Sequence, residues 1–465
     1  MYSAKTENRS QSMIYGSIAA NTMSDDNLDI KKRRRATMRK LTKMVDVTEE
    51  EAVRLSYMPE EKKQEVIEEL KGKIKRYQFL MLMIAVNSGW RYYTTNMLVF
   101  YNKNILNLTA AQSSQFNSFT FLPWSFKPIY GFFLDSIYLF GYKFKGHCLT
   151  MALLTSLVIA SIIIVPKPGL QTLTVILFLH NLTCSYIDSL AQGMTARLTK
   201  LNQKLAALEE TEDGESSLKS FGLYNSLKAL SRTIMIFIGG YVVENTESTY
   251  LMVSGFILAS YPLLIFFVTL FVFKDEKQPT IFRGCGNFIE GVKKTLKALF
   301  TREALLPLAF LVFYRMLPQM NQVYTYILLT QGGWSFDLFN ISNFIGALIV
   351  NVALLFGFKK IGKYIKYNIL VVLSLLMIAL SILLSSSVLI SQDLPHIPYA
   401  AFWTLTVALS NLSYALILVT VVSRISRLLP EGFESTGVTM IISTSNISFS
   451  FGQYFSSVLA DSYGV

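Results

Sequence analysis

Runs of about 20 mostly apolar residues, the length a helix needs to cross a bilayer, recur along the sequence from Tyr77 to its end. They fall at roughly 78–101, 112–138, 148–166, 171–196, 221–243, 249–273, 304–329, 336–358, 367–391, 397–425 and 430–459, about eleven in all. Residues are 52% hydrophobic and only 16% charged, against about 25% charged in soluble domains. Inside a bilayer the backbone has no water to bond, so each run must satisfy its own amides as a helix. The sequence therefore predicts an all-α, multi-pass integral membrane protein whose first partner is the lipid bilayer.

The net charge of +12 does not call for nucleic acid, because cytosolic loops of membrane proteins collect Lys and Arg. Here the loops alternate. Those after the second, fourth, sixth, eighth and tenth runs carry Lys143 and Lys145, Arg197 and Lys200, Lys293, Lys294 and Lys297, Lys359 and Lys360, and Arg424 and Arg427. The opposite loops offer only Lys103 and Lys167. This asymmetry places the N-terminus in the cytosol. The organisation expected is a cytosolic region 1–77 with short helices, a six-helix half 78–273, a cytosolic linker 274–303 and a second half 304–465. In region 1–77, Pro59-Glu60-Glu61 opens a helix expected to end near Lys75. Gly357 to Lys363 faintly echoes Gly131 to Lys145, the mark of an internally repeated transporter. By that symmetry a twelfth run is missing before Val465, which points to a truncated chain. Cys148, Cys184 and Cys285, and His147, His180 and His396, have no ligand spacing, so no metal or cofactor is expected. With no G-x-x-x-x-G-K-[ST] loop and no nucleophile–base constellation, the chain reads as a carrier and not an enzyme.

Within the second run, Asn117, Thr120, Trp124, Lys127, Gly131 and Asp135 are spaced three or four apart among Phe, Leu, Ile and Tyr. On a helix they share one polar stripe, suited to facing other helices or a wet cavity while the rest faces lipid. Lys127 sits near the middle, where a charge costs about 2.5–3.5 kcal/mol on insertion scales. It is either a structural cation paired with Asp188 or a ligand for an anionic substrate. Asn87 and Arg91 in the first run, Asn225, Lys228 and Arg232 in the fifth, and Arg315 with Gln319 and Gln322 in the seventh repeat the pattern. Helix–helix hydrogen bonding explains such stripes, but less readily their cations. If Arg91, Lys127, Lys228, Arg232 and Arg315 converge, the cavity selects anions. Asp188 is either a proton carrier or a permanent ion pair joining spans four and five.

Gly131-x-x-x-Asp135 followed by Gly141-Tyr142-Lys143-Phe144-Lys145 is similar to the gating motif of the major facilitator superfamily. Leu122-Pro123-Trp124-x-x-Lys127-Pro128-x-x-Gly131-x-x-x-Asp135 resembles the signature of the folate–biopterin transporter family. So does Leu429-Pro430-Glu431-Gly432-x-Glu434-x-Thr436, with Asp188, Arg232 and Gly239-Gly240. Departures are the absence of a second acid soon after Asp188 and a less arginine-rich run at Lys143 to Lys145. The resemblance implies two six-helix halves and alternating-access transport of folate, biopterin or a related pterin, with proton symport as the coupling. It implies a gate built from Gly131, Asp135, Lys143 and Lys145, with Asp135 bonded to that loop or to a neighbouring helix. The substrate site would use Arg91, Lys127, Lys228, Arg232 and Arg315, with Trp90, Trp124 or Tyr324 stacking on the pterin ring. Glu431 and Glu434 would only open a helix behind Pro430. The protein is expected to be a monomer in a plasma membrane. The competing readings are a carrier of S-adenosylmethionine and a transport-inactive scaffold.

Overall fold

The computed structural model describes residues 59–94, 98, 101–102, 105–108, 116, 119–165, 168–209, 216–245, 250–275, 277, 285–317, 336–364, 367–390, 399–430 and 432–462. The chain divides into two units, Met1–Lys71 with Lys204–Asp213 and Gly72–Gln203 with Gly214–Val465. In the smaller one, Lys71 Nζ lies 2.9 Å from Glu209. The described residues form α-helices with short 3₁₀ turns: α1 (Glu60–Trp90), α2 (Lys127–Ser136), α3 (Lys145–Ile164), α4 (Leu170–Leu208), α5 (Ser216–Asn245) and α6 (Tyr250–Phe271). There follow α7 (Cys285–Leu299), α8 (Arg302–Met316), α9 (Phe336–Tyr364), α10 (Tyr367–Ile390), α11 (Tyr399–Ser426) and α12 (Glu434–Ser462).

Among the described residues, five helices are long and apolar enough to cross a membrane: Lys145–Ile164, Leu170–Leu208, Met252–Phe271, Ile369–Ser387 and Ala400–Ser426. Their burial sorts them by position. The most apolar window of α4 is 56% buried and that of α10 only 22%, so α4 is central and α10 peripheral. The peripheral helices present Leu157, Phe256, Phe271, Leu376 and Leu383 outward, as lipid contact requires. One core joins α1–α6 through Leu80, Leu134, Cys148, Leu190, Tyr224 and Ile265. Another joins α8–α12 through Leu311, Val350, Leu370, Val419, Val422 and Ile441, and takes in Ala196 and Phe221.

Three boundaries differ from the sequence reading. The helix opened by Glu60 does not end at Lys75 but runs unbroken to Trp90, because no proline interrupts it and the lysines at the join are good helix formers. The second run is not one continuous α-helix: a 3₁₀ turn, Leu122–Phe126, precedes α2. Pro123 and Pro128 each stand where a helix is just beginning and their missing N–H costs nothing. The polar stripe is therefore re-phased between Trp124 and Lys127. The linker 274–303 contains a helix, α7, whose buried Thr295 and exposed Lys293, Lys294 and Lys297 lie on opposite faces. Asn117, Gln319, Gln322 and Tyr324 lie outside the described residues.

Candidate functional site

The most densely bonded charge is Asp188, on the central helix α4 and wholly buried. Its Oδ2 accepts from Lys127 Nζ at 2.5 Å and from Gln192 Nε2 at 2.7 Å. Its Oδ1 accepts from Lys228 Nζ and from the Tyr224 hydroxyl, both at 2.6 Å. The geometry follows from helical spacing. Tyr224 and Lys228 are four apart on α5, and Asp188 and Gln192 are four apart on α4, so each pair shares a face. Lys127 comes from the first residue of α2, at the end of the 3₁₀ turn. Asp188 thus ties α2, α4 and α5 together, and two cations with two neutral donors offset the desolvation of its charge.

Beside this carboxylate stands Trp124, aimed from the 3₁₀ turn and fixed by its Nε1 donating to Asn181 Oδ1 at 3.0 Å. The Arg91 guanidinium lies 3.7 Å from its ring centroid, and Lys127 and Lys228 lie 4.8 and 5.8 Å away. Arg91 also donates to the Tyr92 hydroxyl at 2.8 Å, and Arg232 lies 4.4 Å over the Tyr92 ring. Close backbone approach puts Arg232 there. A side chain at Gly89 would meet the Arg232 backbone nitrogen at 2.5 Å, and one at Gly239 would meet the Tyr93 carbonyl at 2.6 Å. Ser231 seals the contact by donating to the Val86 carbonyl at 2.8 Å.

Arg91, Lys127, Lys228, Arg232 and Trp124 are therefore brought together, which meets for four of the five cations the condition on which the anion reading rests. Arg315 is not brought into contact with them. Its guanidinium faces Tyr414 at 4.4 Å and Phe449 at 4.1 Å, within the second group of helices. Trp90 is a packing residue, stacked on Tyr261 at 5.0 Å with its Nε1 bonded to the Ile257 carbonyl. Tyr92, Tyr224, Gln192 and Asn181 were not foreseen. The signal for two of them was present: Tyr224 stands one turn before Lys228, and Gln192 one turn after Asp188.

A second constellation joins α2 and α4 to the start of α12. Asp135, also fully buried, accepts the backbone N–H of Thr436 at 2.7 Å and its hydroxyl at 2.8 Å. The first turn of a helix offers unpaired N–H groups and the positive end of its dipole, so α12 receives Asp135 as a capping anion. Asp135 is thus held by a neighbouring helix and not by the loop. Lys143 pairs instead with Glu434 at 3.1 Å, and Arg197 reaches the same carboxylate at 3.3 Å. Lys145 donates to the carbonyls of Leu270 and Phe273 at 3.0 and 2.9 Å. The reading of Glu434 as a mere helix-start acid is corrected, since it is wholly buried and bridges two cations.

Glycine makes this approach possible. A Cβ at Gly131 would lie 2.3 Å from Thr439 Oγ1 and 2.9 Å from the Ser435 carbonyl. One at Gly193 would lie 2.0 Å from Ser435 Oγ. The connecting helix α7 adds a brace, because the Phe433 ring fills the space that a side chain at Gly291 would need.

The sequence profile of the BT1 family matches residues 89–465, the whole of this machinery. The chain belongs to the BT1 family of folate–biopterin transporters. It is 20% identical over 390 residues to Folate transporter 1 of Plasmodium falciparum, an alignment covering 82% of this chain and 72% of that one. Among solved structures it resembles the proton:xylose symporter XylE, with a TM-score of 0.55 and 10% identity over 84% of this chain and 91% of the other. FucP, in its outward conformation, gives a TM-score of 0.56 and 13% identity over 83% and 92%. At such identities the likeness shows the fold, that of the major facilitator superfamily. The protein is a multi-pass membrane transporter of that fold.

Proposed function

We infer that this transporter carries a folate- or biopterin-type pterin by alternating access, and that negatively charged folates are favoured. The observation that carries the reading is the convergence of Arg91, Lys127, Lys228 and Arg232 around Trp124 and Tyr92, with Asp188 the one carboxylate in the contacts described for them. Such a group attracts anions and offers aromatic faces to a flat ring. The folate carrier among its relatives supports the same substrate class. The contacts of Asp135 and Glu434 serve as the gate, and the basic loops beside it face the cytosol, with the N-terminus on that side. The plasma membrane is the assigned home and the monomer the working unit. Asp188 is the candidate coupling residue: separation from Lys127 and Lys228 during transport would let it take up a proton.

Uptake of labelled folate, biopterin and S-adenosylmethionine into vesicles carrying the full-length protein, at two external pH values, tests the reading. Folate or biopterin entry that rises at the lower pH is expected. Entry of S-adenosylmethionine alone would overturn the anion assignment, and entry of none would favour the scaffold.

A further inference from the structure

The cations around Trp124 do not stand in equal circumstances. Lys127 is 1% exposed and its ammonium is committed to Asp188. Lys228 bonds the other oxygen of the same carboxylate. Both therefore already have a counter-ion, and their shared acid accepts four hydrogen bonds. Arg91 and Arg232 flank Tyr92 and have no carboxylate contact among the described residues. Arg91 is 8% exposed, and its Nε is enclosed without any hydrogen-bond acceptor. An enclosed cationic N–H left unpaired is unfavourable, and an arriving oxyanion relieves it. Arg232 is exposed while Arg91 is buried, so the pair offers one accessible and one enclosed guanidinium. Planar guanidinium groups are suited to gripping carboxylates through paired hydrogen bonds.

Resting on the carrier reading above, we propose that Arg91 and Arg232, on either side of Tyr92, receive the carboxylate end of the substrate, while Lys127 and Lys228 are reserved for Asp188. The site then discriminates by the tail of the substrate as well as by its ring. Trp124, already covered on one side by Arg91, marks where an aromatic portion of the ligand adjoins the carboxylate end. Pterins that lack a carboxylate depend on the ring contacts and lose less when the two arginines are changed.

The test is equilibrium binding to the purified full-length protein in lipid nanodiscs with three probes. Folic acid has both a pterin and a carboxylate tail, 4-aminobenzoylglutamate has the tail without the pterin, and biopterin has the pterin without a carboxylate. Arg91→Gln and Arg232→Gln should each weaken the two carboxylate probes about tenfold or more, as loss of a charge-assisted contact does. Biopterin should weaken less than either carboxylate probe, and an unchanged melting temperature shows that the variants remain folded. Equal weakening of all three probes, unchanged binding of the carboxylate probes, or a wild-type protein that takes neither of them overturns the assignment. If the wild type binds 4-aminobenzoylglutamate with the expected loss in the variants yet takes neither pterin, the assignment holds and the pterin reading fails.

Discussion

The carboxylate of Asp135 accepts the backbone N–H of Thr436 at 2.7 Å, across 301 positions of sequence. One acid of α2 thereby caps α12, and the strength of that cap depends on its negative charge facing the positive end of a helix. Asp135→Asn keeps the shape and removes the charge. The seam between α2 and α12 should loosen, and transport should fall about tenfold as the carrier loses its bias toward the closed gate. Maleimide labelling at Ser435→Cys reads this directly: Ser435 is buried, so labelling should be slow with Asp135 present and fast in Asp135→Asn. Equal rates would show that the cap does not hold the gate.

Gly131 tests the same seam by volume. The nearest obstacle to a Cβ there is Thr439 Oγ1 at 2.3 Å, but the Ser435 carbonyl and Thr436 Cα follow at 2.9 Å. Gly131→Ala should abolish most transport while leaving membrane insertion intact. Adding Thr439→Ala removes only the side-chain obstacle, so rescue should be partial. Complete rescue would mean that the backbone contacts are unimportant.

Glu434 is held by Lys143 and Arg197 in a buried setting. Breaking such a pair leaves an uncompensated charge, so Glu434→Gln and Lys143→Gln should each lower the melting temperature. A double-mutant cycle between them should give a coupling on the order of 1–3 kcal/mol. A coupling near zero would show that Lys143 does not hold Glu434.

Asp188→Asn strands Lys127 and Lys228 without their shared counter-ion. Loss of one partner from a buried pair costs about 3–5 kcal/mol, and thermal unfolding in nanodiscs should show it. Lys127→Gln combined with Asp188→Asn should be less destabilised than Asp188→Asn alone, because one of the stranded charges is gone. A double variant no more stable than the single would show that Lys127 does not depend on Asp188.

Membrane class was legible from apolar run length, the fold from the Gly131–Asp135 motif and its resemblance, and the polar faces carrying Arg91, Lys127, Lys228 and Arg232 from spacing of three and four on a helix; that these faces meet was only a condition of the anion reading. What could not be read was pairing across distant segments. Lys143 and Glu434 are separated by 291 positions, and nothing local to Glu434 distinguishes an acid that starts a helix from one buried between two cations. Arg315 shows the limit of spacing from the other side. Its spacing matches that of the other stripes, but the ring of Phe449 and that of Tyr414 occupy its guanidinium. The 3₁₀ turn before Lys127 was hidden because periodicity assumes one helix type throughout, although Pro123 and Pro128 marked the place.

The junction of Gly131 and Gly193 with Ser435 and Thr439 brings bare backbone against small hydroxyl side chains. Large interlocking residues must re-sort their rotamers each time two surfaces separate, which makes parting slow and return error-prone. A joint of this kind leaves almost nothing to re-sort. If the proposed gate opens here, its two faces come apart and meet again in the same register on every turnover, and the work of separation falls on the few polar contacts of Asp135 and Glu434.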